Sequence, residues 1–259
     1  MRTFGKQVLP VLVAVAGLIV VWDLIVRFTH APSYLLPAPA QVAEVVWNDR
    51  ALLGKHLAAT AQIALAGFTL GVGVGIGVGV LLGWSATLRR AAEPLLIASQ
   101  AIPPVILAPI LIAAMGFGAW PKILVVTLGA FFPVAIGASV AMRDADRSLV
   151  DLMTAMGASR FTVLRQVRLP GSVPAIIAGA KVAASYVVFS AIIAEWMGSS
   201  VGLGVYLQRS QASYQMDQLF AAVGVVAALG VGLFWLSALL GELVLARSRP
   251  ASYRKDPRS

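Results

Sequence analysis

The side chains able to do chemistry are few, and most stand apart from one another. The 259 residues contain no cysteine, which excludes disulfides, thiol catalysis and cysteine-ligated metal. Two histidines, His30 and His56, fall between the first two apolar segments. Isolated loop histidines read as surface residues rather than metal ligands. A nucleophile needs a neighbouring base, or carboxylates must be paired. No histidine enters an apolar segment, while Asp23, Lys181 and Glu195 sit near segment ends. Glu195 is expected to face water, and Lys181 to snorkel to the interface. No catalytic and no metal-binding residue is therefore assigned. The polar side chains inside apolar segments are Gln62, Ser99, Gln100, Thr127, Tyr186 and Ser190. Each suits an interhelical hydrogen bond, and Gln62, Gln100, Tyr186 and Ser190 are also the candidates for lining a solute path. The densest charge lies in DLMTAMGASRFTVLRQVRLP, residues 151–170, where Arg160, Arg165 and Arg168 crowd together.

The rest of the chain is built for lipid, with 59% hydrophobic residues and a mean hydropathy of +0.86. Residues 58–84, 95–119, 123–142 and 219–240 contain no Asp, Glu, Lys or Arg. Each approaches or exceeds the ~20 residues needed to cross a bilayer core. Residues 8–26, interrupted by Asp23, and 174–194, interrupted by Lys181, raise the expectation to six helices. The spans are expected at about 8–28, 57–84, 95–116, 119–142, 174–196 and 218–243, within a single domain over 1–259. Arg2 and Lys6 precede an apolar run longer than a signal-peptide core, so the first span is expected to be retained.

The net charge of +9 is unevenly placed. With a cytoplasmic N-terminus, fourteen basic residues fall inside: Arg2 and Lys6, Arg89 and Arg90, five from Arg143 to Arg168, and five from Arg247 to Arg258. Five fall outside: Arg27, Arg50, Lys55, Lys122 and Arg209. The positive-inside rule explains this split with both termini cytoplasmic, so no nucleic-acid partner is needed to account for it.

Gly67, Gly71, Gly75, Gly79 and Gly83 recur every fourth residue and so form one ridge for close helix packing. Gly73 and Gly77 extend the small surface to a neighbouring ridge. No Lys-Ser or Lys-Thr follows at P-loop spacing. Pro103, Pro104 and Pro109 must kink or break the third span. Broken spans are tolerated where protein or a water-filled cavity surrounds them, as in transporters. Pro39 can open a short outer helix with Val42, Val45 and Val46 on one face.

Residues 143–173 are too polar for the bilayer. Leu149, Leu152, Met153 and Met156 make one apolar face. Gly157 interrupts. Ser159 can cap a second short arm bearing Phe161, Leu164 and Val167, which Pro170 stops. Such a helix–turn–helix can lie on anionic lipid, pack beneath its own bundle, or present a knob to a soluble partner.

The spacing resembles the loop shared by permease subunits of binding-protein-dependent ABC importers: Glu-Ala-Ala, three residues, Gly, nine residues, Ile-x-Leu-Pro. Asp151-Leu152-Met153, Gly157 and Val167-Arg168-Leu169-Pro170 fall in that register. Asp-Leu-Met departs from Glu-Ala-Ala. LLPAPAQVAEVV, PKILVVTLGAFFPVAIG and AEWMGSSVGLG look like the branch importing nitrate, sulfonates, taurine, bicarbonate and thiamine-pyrimidine precursors.

The resemblance implies an all-α type I importer permease in the bacterial inner membrane, with a coupling helix between spans 4 and 5. Asp151, Gly157, Ala158, Ser159, Phe161, Leu164, Val167, Leu169 and Pro170 would form the ATPase-coupling element. It further implies a cytoplasmic ATPase dimer carrying ATP and Mg, an extracytoplasmic solute-binding protein, and a second permease copy, identical or related. The chain itself would bind no cofactor and catalyse nothing. The cargo best matched is a pyrimidine or related heterocyclic vitamin precursor, with sulfonate, taurine or nitrate as the alternative. A self-contained channel or secondary transporter would need ionisable groups deep in several spans, and these are nearly absent.

Overall fold

The computed structural model describes residues 2–248, and these residues are helical with no strand. The order is α1 (Arg2–Thr29), α2 (Pro39–Asn48), α3 (Arg50–Trp84), α4 (Ala86–Ser99), a 3-10 turn (Pro104–Leu107), α5 (Ala108–Met115), α6 (Ala119–Arg143) and α7 (Arg147–Ala155). There follow α8 (Arg160–Val163), a π turn (Leu164–Arg168), α9 (Leu169–Trp196), α10 (Leu203–Ala212) and α11 (Met216–Ser248). The expected basic tail beyond Arg247 lies almost wholly outside the described residues.

Local chemistry explains the boundaries. Pro39 opens α2 at a first-turn position, where its missing N–H costs nothing. Ser85 caps α4 by accepting the Leu88 N–H. Among the described residues, four stretches are long and apolar enough to cross a membrane: Arg50–Trp84, Ala119–Arg143, Arg160–Trp196 and Met216–Ala246. At 1.5 Å per residue, α3 is about 52 Å long and outreaches a hydrocarbon core of about 30 Å. The expected third span, 95–116, is no continuous helix: α4 ends at Ser99 and regular helix resumes only at Ala108. Pro103, Pro104 and Pro109 remove donors across this break.

Contacts divide the chain into two compact units. One comprises the residues up to Ala59 with Ser200–Ala227, the other Thr60–Ser199 with the stretch from Ala228 onward. In the first unit Leu53, Tyr206 and Ala222 form a small core. Asp23, read as an interruption of the first span, pairs with Arg27 one turn later at 2.7 Å. In the second unit α6 is the central element. It packs tightly against α9, and it buries Val125, Val126, Ala130, Val134, Ala135, Ala138 and Met142. Gly137 of α6 approaches the Ala175 carbonyl, while Gly179 of α9 approaches that of Pro133, which makes the two helices antiparallel.

Pro170 does not stop the second arm. The chain passes from α8 through the π turn directly into α9. In a regular helix the Pro170 ring would strike the carbonyl four residues back. Here the Leu169 N–H reaches the Leu164 carbonyl, and the widened turn accommodates the ring.

Candidate functional site

Two regions of the second unit carry the candidate residues. The first is the seam between α3 and α6. A Cβ placed on Gly71 would fall 2.6 Å from the Ala130 Cβ and 2.7 Å from the Thr127 carbonyl. On Gly75 it would meet the Phe131 carbonyl and the Val134 Cβ, both at 2.9 Å. Gly67, Gly79 and Gly83 face Val126, Ala138 and Met142 in the same way. Both partners advance by four residues per step, so the helices run parallel with backbones nearly touching. Gly73 and Gly77 point into open space.

The second region is the basic segment. Asp146 Oδ1 accepts the Ser148 N–H at 2.9 Å and caps α7. At the other end the Gly157 N–H donates to Thr154 O at 3.0 Å, and the Ala158 N–H donates to Met153 O at 2.9 Å. This pair of bonds is a Schellman motif, and Gly157 holds its left-handed position at φ +82°. Ser159 then restarts the helix, its Oγ accepting the Thr162 N–H at 3.2 Å. Leu149, Leu152, Met156 and Phe161 are exposed, with Met156 at 78%. Leu164 is buried and Val167 half-buried, so the face shared with Phe161 in the sequence is divided. Asp151, Ser159 and Pro170 are exposed, while Ala158 and Leu169 are half-buried.

Arg168 Nη1 donates to the Gly83 carbonyl at 3.1 Å, satisfying an acceptor in the last turn of α3. Phe161 meets Trp84 edge-on with ring centres 6.2 Å apart. The hydrogen bond from Arg143 at 2.9 Å holds the Asp144 carboxyl below the usual range.

Several polar residues lie elsewhere than the sequence reading placed them. Glu195 is fully buried instead of facing water, and accepts a hydrogen bond from Thr60 Oγ1 at 2.7 Å. Lys122, counted with the outer charges, falls inside the expected 119–142 span and is buried there. It occupies the first turn of α6, 6% exposed, and interacts electrostatically with Glu195. Burial of such groups demands partners, and these three come from α6, α9 and residue 60 of α3. His56 is no surface residue: it lies within α3, 4% exposed, with Nδ1 2.7 Å from the Gly202 carbonyl oxygen and 3.0 Å from the Gly202 nitrogen. Ser99 and Thr127 bond back to the carbonyls of Leu96 and Ile123 in their own helices. A hydroxyl three or four residues past a carbonyl reaches it without crossing to a neighbour.

The path candidates occupy four different settings. Gln62 and Tyr186 lie on exposed faces of α3 and α9, Gln100 ends α4, and Ser190 is half-buried against Gly129. Among the described residues no group of three or more metal-ligating side chains forms.

These features define a helical protein with long, apolar, close-packed helices and a basic loop turned by a Schellman motif. Residues 71–248 match the family of binding-protein-dependent transport system inner membrane components, and the chain belongs to that family. It is an integral membrane permease subunit of ABC importers rather than an enzyme. Among its relatives, the riboflavin transport system permease protein RibX of Chloroflexus aurantiacus is 34% identical over 247 residues, covering 95% of this chain and 92% of that protein. The formylaminopyrimidine transport permease protein ThiX of Halalkalibacterium halodurans is 31% identical over 215 residues, covering 83% and 86%. SsuC of Escherichia coli, named for aliphatic sulfonate transport, is 31% identical over 242 residues, covering 93% and 92%. The fold is shared with a chain from an inward-facing MetNI methionine ABC transporter, with TM-score 0.63 and 22% identity over 77% of this chain and 97% of that one.

Proposed function

We propose that this permease forms the membrane path of an ATP-driven importer for a pyrimidine or related nitrogen heterocycle. The family match, which runs through the basic segment, carries the importer reading. The cargo is favoured because two relatives, ThiX and RibX, are named for a formylaminopyrimidine and a riboflavin. SsuC keeps a sulfonate as the second reading.

In this reading the chain crosses the membrane six times, with α1 and the broken α4–α5 stretch as the first and third crossings. Both termini are cytoplasmic. Residues 151–170 dock on an ATPase dimer that binds ATP and Mg, and a solute-binding protein delivers cargo from outside. A second permease copy completes the path, with the exposed Gln62 and Tyr186 turned toward it. The Schellman turn and its exposed apolar residues support the docking role, since a polar loop gains nothing from Leu152, Met156 and Phe161 unless they meet a surface.

The test is uptake in cells expressing the permease with its ATPase and solute-binding protein. Labelled formylaminopyrimidine or riboflavin should accumulate and taurine should not. Accumulation of taurine alone would replace the cargo, and uptake without the ATPase would replace the importer reading by a channel or secondary transporter.

A further inference from the structure

Beside the basic segment lies a cavity of about 480 Å³ whose wall carries Arg89, Arg143, Arg160 and Arg168 and no carboxylate. Arg143 is engaged by Asp144. Arg168 spends one nitrogen on the Gly83 carbonyl. Among the described residues, no carboxylate lies within ion-pair distance of Arg89, Arg160 or Arg168. The acids nearby, Asp144 and Glu93, act on Arg143, and Arg89 feels Asp144 only at longer range. Like charges gathered around one hollow repel, and an anion in the hollow removes that repulsion.

The position of the hollow says which anion. It is built where apolar helices end: α3 at Trp84, α6 at Arg143, and the Arg160–Trp196 run at its start. Trp84, 46% exposed, lines the same cavity. Tryptophan beside arginine at span ends marks the boundary between hydrocarbon and headgroups. Basic pockets between helices at that depth bind anionic headgroups, and guanidinium forks match phosphate oxygens.

We propose that this cavity binds the phosphate of an anionic phospholipid headgroup, with Arg89, Arg160 and Arg168 as donors. Placing that lipid in the cytoplasmic leaflet rests on the orientation proposed above; the binding itself does not. Native mass spectrometry of the delipidated full chain, titrated with phosphatidylglycerol or phosphatidylcholine, tests it. Phosphatidylglycerol should be retained at least about tenfold better. Arg89→Gln/Arg160→Gln should erase the preference, while Arg165→Gln, outside the cavity, should keep it. Arg160→Gln alone, at an exposed side chain, should lose several-fold and covers the case in which the double variant misfolds. Equal retention of both lipids, or equal loss in Arg165→Gln, overturns the proposal. So does displacement by millimolar inorganic phosphate, which marks a free-phosphate site, or by the ATPase subunit, which marks a protein contact. The readout is lipid binding and stands whether or not the cargo assignment does.

Discussion

Thr60 donates its hydroxyl proton to Glu195 Oε1 at 2.7 Å, and both residues are fully buried. A buried carboxylate that loses a donor keeps its desolvation cost. Thr60→Val, nearly the same shape, should therefore lower stability by about 1–3 kcal/mol, and Thr60→Ser should restore it. Thermal unfolding of the purified protein in detergent reads the difference. Equal midpoints for Thr60→Val and the wild type would mean the bond does not hold α3 to α9.

The α3 glycines offer a paired test within one helix. Gly71→Ala drives a methyl into Ala130 and the Thr127 carbonyl. Overpacking of this kind costs about 1–3 kcal/mol. Gly73→Ala meets nothing within 4 Å, and as a better helix former it should be neutral or stabilising by about 0.5–1 kcal/mol. Yield and midpoint should fall for the first and hold for the second. The reverse order would place the packing seam on the other ridge.

The glycine period and the Gly157 turn were legible because spacing alone carries them: every fourth residue makes a ridge, and a glycine between two apolar stripes is a helix stop. Apolar run length located the four long helices for the same reason. Glu195 and His56 were misread. Each stands near an apolar segment end, where sequence cannot say whether a polar side chain meets water or a residue such as Thr60, far away in the chain. Pro170 was misread as a terminator because its steric rule holds for α-helix and is relaxed by a π turn. Hydropathy likewise registered 95–116 as one span and could not show how far its prolines had parted the helix.

Tyr206 supplies a pH signature in the first unit. It is 5% exposed, and its hydroxyl donates to Asp49 Oδ2 at 3.2 Å. Burial, with the Asp49 carboxylate beside it, pushes the phenol well above its ordinary range near 10. The folded state therefore holds the proton more tightly than the unfolded one. The contribution to stability is full below pH ~10 and is lost as pH rises from there through the folded value. Tyr206→Phe should flatten the alkaline fall in unfolding midpoint, measured as the difference between variant and wild type from pH 9 to 12. Parallel curves would remove Tyr206 from the alkaline titration.

The native chain has no cysteine, so single introduced thiols report sidedness cleanly. In intact cells Ser33→Cys should react with an impermeant maleimide and Ser148→Cys should not. Labelling at residue 148 from outside would invert the proposed orientation and move the basic segment to the wrong side for an ATPase.

The coupling segment separates docking from folding through neighbouring side chains. Leu164 is buried and Phe161 is 59% exposed, so truncating them should have different consequences. Leu164→Ala should lower stability by about 2–5 kcal/mol. Phe161→Ala should leave the midpoint nearly unchanged while weakening co-purification of the ATPase. Gly157 sits between these cases. At φ +82° any side chain costs on the order of 1 kcal/mol locally, a modest loss for a protein of this size. The functional loss should be far larger, because the Schellman turn sets the angle at which α7 presents Leu152 and Met156. Gly157→Glu should insert and survive purification yet abolish uptake, with ATPase recovery falling in parallel. If Gly157→Glu transports normally and Phe161→Ala retains its ATPase, residues 151–170 are not the docking element, and their exposed apolar face belongs against lipid.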